Sequence, residues 1–447
     1  MKLDIVKTGI NGEGIAYLNG KPVFLPGAFP DETVDVILKE EQERYARGKV
    51  RSILVPSRER VESSCLEKDC DGCPFYFLSY PAQLKYKRQL LCEAVWKYGH
   101  VRESFVRDIR PSPEVTGYRS SLKLPVQDTE TGIRSGMYRT GSNHFIPIDT
   151  CIAHDPRLEA IRRTVMAILR EEHFPAFDGK HGLRTLIMRR ISEQISIALI
   201  TGNDTLSGSL IEKLSALPEV VSIVQSVNTE KHSPYPFGSR CRVLYGSAFL
   251  EAQFCGLSIR LSPESFFQVN LRQAEALYRM AVSKIDPCDV LYEAYCGIGV
   301  MSLLARDKAK KIYGAEAIEQ AVQNAACNAS ANGVENCEFL VGDAAEVLRQ
   351  LSAQTKVDTL LADPPRTGMD DAMIEAILSS SIRKIVYVSC SPATLGKNIG
   401  ALKKDFTLQT ILPFDMFPGT PHVESISVLT RNGTSDRQKK NRHRKRR

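Results

Sequence analysis

The stretch Asp289-Val290-Leu291-Tyr292-Glu293-Ala294-Tyr295-Cys296-Gly297-Ile298-Gly299 decides how the second half of this 447-residue chain folds. A mostly apolar run of strand length ends in an acid and an aromatic, then breaks at two glycines, which allow a tight turn and close approach of the backbone to a ligand. Outward from it, apolar periodicity predicts helices over 271–283, 301–305 and 320–332, and strands over 311–315, 337–341, 357–362 and 384–388. Strands alternating with helices imply a parallel, doubly wound α/β sheet covered on both faces.

In such a sheet ligands bind beyond the carboxyl ends of the strands, so the last residue of each strand is informative. Tyr295 and the glycine turn close the first strand. Glu316 ends the second, 19 residues after Gly297, and suits a carboxylate accepting from both hydroxyls of a ribose. Asp343, in Gly342-Asp343-Ala344, is placed to face an adenine amino group, and Asp363, in Asp363-Pro364-Pro365-Arg366, ends the fourth strand. No third glycine follows at the dinucleotide spacing, which argues against a nicotinamide site. The fifth strand runs into Ser389-Cys390-Ser391-Pro392 and puts a thiol at the rim. Further on, Asp415-Met416-Phe417-Pro418-Gly419-Thr420-Pro421-His422-Val423-Glu424 leads into a last strand that Glu424 opens.

Residues 1–56 read as a small OB-like β-barrel, with Asn19-Gly20 as a hairpin turn. Tyr45, Arg47, Lys49 and Arg51 alternate along its final strand and share one face, which suits a nucleic-acid backbone. Residues 57–262 read as a central α+β domain, with a helix over 81–98 and strands over 183–190 and 194–201. Its Cys65, Cys70 and Cys73 form C-x4-C-x2-C, a metal-binding spacing that needs a fourth ligand from elsewhere; four thiolates suit zinc and [4Fe-4S] alike. Tyr118, Arg119, Lys123, Tyr138 and Arg139 interleave aromatics with cations, as unpaired RNA requires. Residues 263–431 form the α/β domain.

Hydrophobic residues make up 43% and charged residues 25%, which excludes wholesale disorder, and no apolar run approaches membrane-spanning length. An acid at Asp4 stands where a signal peptide would build its apolar core, so a cytoplasmic protein is expected. The net charge of +7 is concentrated at the end: residues 431–447 hold nine Lys or Arg against Asp436 alone. Residues 432–447 read as a disordered arm, either solubilising or attracted to phosphate.

Taken together, Phe266-Phe267-Gln268-Val269-Asn270, the Glu293–Gly299 turn, Asp-Pro-Pro-Arg, Ser-Cys-x-Pro-x-Thr-Leu and Asp-Met-Phe-Pro-x-Thr-x-His-Val-Glu resemble the bacterial 23S ribosomal RNA (uracil-5-)-methyltransferases, S-adenosylmethionine-dependent enzymes with a TRAM barrel and an iron-sulfur cluster. Ser391 departs from the family's usual Asn. The resemblance implies Cys390 as nucleophile, Glu424 as base, and Gln268, Tyr295, Glu316 and Asp363 around S-adenosylmethionine. It also implies Cys151 as the fourth ligand and favours [4Fe-4S] over zinc, with ribosomal RNA as partner and no obligate protein partner. Uracil C5 needs a thiolate at C6 before it accepts a methyl group. The Cys390 site is therefore expected to favour the anion through local donors or to move its proton during attack.

Overall fold

Parallel strands buried on both faces are written as short, continuous apolar runs, and the C-terminal half of the computed structural model is built on them. The structure describes residues 1–230, 235–238 and 240–433. Seven strands, Cys288–Ala294, Ala309–Glu316, Cys337–Val341, Thr359–Ala362, Lys384–Ser389, Phe406–Phe414 and Glu424–Arg431, form one sheet. Their order is third, second, first, fourth, fifth, seventh, sixth. The first five are parallel, and the seventh runs antiparallel between the fifth and sixth. Strand order reverses between the first and fourth, so a crevice opens where their carboxyl ends diverge. The expected doubly wound sheet is present. Helices Ala344–Gln354, Asp371–Ser379 and Pro392–Leu402, and the edge strand Phe406–Phe414, complete it beyond the elements read from periodicity.

Six strands between Lys2 and Val55 make the N-terminal sheet around Ala16, Val23, Leu25, Val34 and Val36. Asn19 and Gly20 both take positive φ, at 52° and 78°, as the tight turn between its third and fourth strands requires. On the strand Ala46–Val55, Arg47, Lys49 and Arg51 are exposed. A second seven-stranded sheet spans Ser121–Thr129 to Arg240–Gly246, with helices Pro156–Glu171 and Gly208–Ser215 burying Leu158, Val165, Leu169, Leu210 and Leu214 against it. Asp155 caps the first of these helices by accepting from the amides of Arg157 and Leu158, with Pro156 at the first helical position.

Helix Tyr80–Gly99 precedes the second sheet in sequence but packs on the C-terminal one. Leu91 and Val95, followed by Val101 and Val106, share a core with Tyr292, Leu395 and Ile411. The approach needs glycine: a Cβ at Gly99 would lie 2.6 Å from the carbonyl oxygen of Gly396. Among the described residues no helix is long and apolar enough to cross a membrane. The basic arm lies outside the described residues from 434 onward.

Candidate active site

Antiparallel pairing brings the thiol and the last acid together. Ser389 on the fifth strand pairs with Ser425 on the seventh, so the next residue on each, Cys390 and Glu424, meet at the rim of the crevice. Asp363, just past the fourth strand, faces the same space. Burial pushes the Cys390 thiol up to about 12; Glu424 and Asp363 add to the shift and Arg366 opposes it. Burial raises Asp363 to about 7, and burial followed by Asp363 lifts Glu424 well above the carboxylate range. The site thus sets a buried thiol beside two buried carboxyls, with the Arg366 guanidinium as the opposing charge.

The loop leading to Glu424 is pinned from outside the sheet. Lys87 and Asp415, both fully buried, form an ion pair, and Tyr80 Oη donates to Asp415 at 2.9 Å. Lys87 Nζ also donates to the carbonyl of Phe417 at 2.9 Å, and Tyr118 Oη to that of Pro418 at 3.0 Å. The Gly419 amide donates to Gln83 at 2.9 Å. Tyr118 is thus buried in a structural contact and unavailable to stack on RNA, contrary to its sequence reading, while Tyr138 and Arg139 are exposed. Lys87, Tyr80 and Gln83 carry no sequence signal of this role, since a lysine on a helix ordinarily faces water. His422 receives the Arg366 guanidinium at 3.3 Å; burial, Arg366, Lys87 and Arg119 push its imidazole down to about 4.

Along the crevice, Tyr295, Gly297 and Gly299 take positive φ at 63°, 54° and 82°. A Cβ on Gly299 would meet the Phe339 ring at 2.8 Å. Glu316 accepts from the Gly297 amide at 3.2 Å and the Ile318 amide at 3.0 Å, which holds its carboxylate beside the turn. Asp343 is exposed but uses one oxygen to cap helix Ala344–Gln354, accepting from Ala345 and Glu346. Gln268 is buried and bonds the phenol of Tyr278, which faces Asp363, Glu293 and Glu424. Tyr278 was not anticipated, because on its helix it reads as core. The open turn, the acid on the second strand and the two carboxyls beyond fit a nucleoside-bearing cofactor.

Cys65, Cys70, Cys73 and Cys151 are gathered closely enough to perturb one another. Burial raises Cys73 to about 12 and also raises Cys70. Burial acts the same way on Cys151, but a hydrogen bond from His154 overrides it and leaves that thiol below its ordinary value. Among the described residues, no three His, Cys, Asp or Glu side chains are arranged to hold a metal ion. The expected four-thiolate centre is therefore not preformed among the described residues.

Comparison with known proteins gives this site its context. The TRAM domain family matches residues 1–50, and the tRNA (Uracil-5-)-methyltransferase family matches residues 250–432. An uncharacterized RNA methyltransferase of Halalkalibacterium halodurans is 33% identical over 446 residues, covering 96% of this chain and 97% of that protein. The chain belongs to the RNA uracil-5-methyltransferase family. An uncharacterized RNA methyltransferase of Listeria innocua is 34% identical over 94% of this chain and 95% of its own. Among solved structures, the Pyrococcus abyssi tRNA (uracil-54, C5)-methyltransferase in complex with S-adenosyl-L-homocysteine superposes with a TM-score of 0.77 at 25% identity, covering 96% of this chain and 100% of that one. A TRAM-bearing uracil-5-methyltransferase thus has the Rossmann-like sheet expected of an S-adenosylmethionine-dependent enzyme.

Proposed function

We propose that this uracil-5-methyltransferase modifies C5 of a uridine in 23S ribosomal RNA through a covalent adduct to Cys390. The observation that carries the chemistry is the pairing of Cys390 with Glu424, with Asp363 alongside. S-adenosylmethionine, when bound, supplies an electrophilic methyl group on a cationic sulfur; Gln268, Tyr295, Glu316, Asp343 and Asp363 are the residues that would hold it. As Cys390 Sγ bonds to uracil C6, its proton passes to ionised Asp363 and the C5=C6 electron pair moves to C5. After C5 is methylated, ionised Glu424 takes the surplus C5 proton. The freed C–H electrons restore C5=C6 while the C6–S bond breaks, and Sγ recovers the proton from Asp363. Both carboxyls must ionise, so turnover should rise with pH through about 7, where Asp363 titrates, and go on rising until Glu424, which burial and ionised Asp363 hold well above the carboxylate range, has ionised too.

In this reading residues 1–56 and 57–262 grip RNA and residues 263–431 perform the transfer, in the cytoplasm. Four gathered thiols supply donors for a [4Fe-4S] cluster in the central domain, although they must move to reach one centre. A second reading, transfer RNA as substrate, is favoured by the whole-chain likeness to the Pyrococcus abyssi enzyme. A TRAM barrel does not by itself separate the two.

Cys390→Ala should bind RNA and cofactor but transfer no methyl group, whereas Glu424→Gln should accumulate a methylated protein-RNA adduct that survives denaturing electrophoresis. Methylation by Cys390→Ala would overturn the mechanism. Mapping 5-methyluridine in ribosomal and transfer RNA from cells lacking the protein decides the substrate.

A further inference from the structure

Away from the crevice, a cleft of about 130 Å³ opens between helix Pro156–Glu171 and the strand Gly132–Tyr138. Arg134, Arg162, Arg163 and Arg170 line it against one carboxylate, Asp149. Arg163, Met166 and Arg170 follow at helical spacing and so share one face. Arg162 is buried and fixed: its Nε lies 3.0 Å from Glu159, Nη1 donates to Ser135 Oγ at 2.7 Å, and Nη2 donates to the carbonyl of Asp149 at 2.8 Å. Arg134 pairs with Asp149. Arg170 donates to the carbonyl of Ile133 at 3.3 Å. Among the described residues neither Arg163 nor Arg170 meets a carboxylate within ion-pair distance. With Glu159 counted, the cleft keeps a net charge of about +2.

We propose that this cleft is an anion subsite that seats a backbone phosphate of the RNA substrate. Its volume is well below the roughly 300 Å³ at which pockets begin to take whole small molecules, so the ligand is a group of phosphate size. Guanidinium groups match phosphate oxygens in planar, bidentate fashion. Arg134 and Tyr138 lie on one face of their strand, about 13 Å apart. Tyr138 is 45% exposed and stands edge-on to Phe145, with ring centroids 6.0 Å apart. A single strand anchored by a phosphate at the cleft can therefore stack a neighbouring base on this aromatic pair. The proposal rests on the reading of the protein as an RNA enzyme and adds where the strand is held.

The test uses the full chain and the exposed pair, as R163Q/R170Q and as R163K/R170K. Binding of a fluorescein-labelled RNA hairpin with an all-uridine loop is measured by anisotropy across a salt series. Losing the one phosphate that this pair holds should flatten the log Kd against log salt slope by about 0.7, which over a fourfold rise in salt is about a 2.6-fold smaller loss of affinity. The lysine pair should restore most of the slope, and S-adenosylmethionine affinity should stay the same in both. Thermal shift with inorganic phosphate is the second arm. If phosphate stabilises the unmutated protein but not R163Q/R170Q while the RNA slope is unchanged, the cleft serves a free anion and the proposal falls. An unchanged slope without a phosphate effect also overturns it. Failure of the unmutated protein to bind RNA at all would overturn the enzyme reading as well, so the two failures are distinguishable.

Discussion

Replacing Asp363 by Asn should stabilise the C-terminal sheet while abolishing turnover. In the folded chain burial raises this carboxyl from 3.8 to about 7. Between those two pH values the folded chain holds a proton that the unfolded chain has released, so stability is full below pH 3.8 and falls as pH rises toward 7. The shift corresponds to about 4 kcal/mol at pH 8, at 1.36 kcal/mol for each pH unit. One side of Asp363 is open to the crevice and water there reduces the cost, which leaves about 2 to 4 kcal/mol. Asparagine cannot ionise, so the variant should gain that amount at pH 8 and almost nothing near pH 4. Amide hydrogen exchange of residues 385–388 reads the opening free energy of this sheet without requiring the other domains to unfold with it. An Asp363→Asn variant no more stable than the unmutated chain at pH 8, or one whose gain is the same at both pH values, would refute the reasoning.

Lys87→Met leaves buried Asp415 without its cation and should cost about 3 to 5 kcal/mol; Lys87→Met with Asp415→Leu should recover much of that in thermal denaturation. Glu316→Gln should weaken S-adenosylmethionine binding by about tenfold to a hundredfold in calorimetry, because a charge-assisted acceptor beside the glycine turn is lost. Anaerobically purified protein should carry iron and sulfide that Ser substitutions at Cys65, Cys70, Cys73 or Cys151 remove. Stoichiometric zinc without iron would refute the cluster.

The sequence by itself determined the doubly wound sheet and the crevice. Strand, glycine turn and helix are local patterns, and each strand-end residue, Tyr295, Glu316, Asp343 and Asp363, follows from its own few neighbours. The hairpin at Asn19-Gly20 was legible for the same reason, since both residues must take positive φ there. Tertiary structure alone decided what those residues meet. Cys390 and Glu424 are 34 positions apart in sequence, and only insertion of the last strand antiparallel beside the fifth sets them opposite each other. Lys87 and Asp415 are 328 positions apart; helix Tyr80–Gly99 reads as an ordinary surface helix until Gly99 lets it settle against Gly396. The Cys390 thiol was expected either to favour its anion or to give up its proton during attack. Burial beside two carboxyls pushes that thiol up, a shift no local pattern could show, because desolvation and like charge arise only when distant segments close around a group.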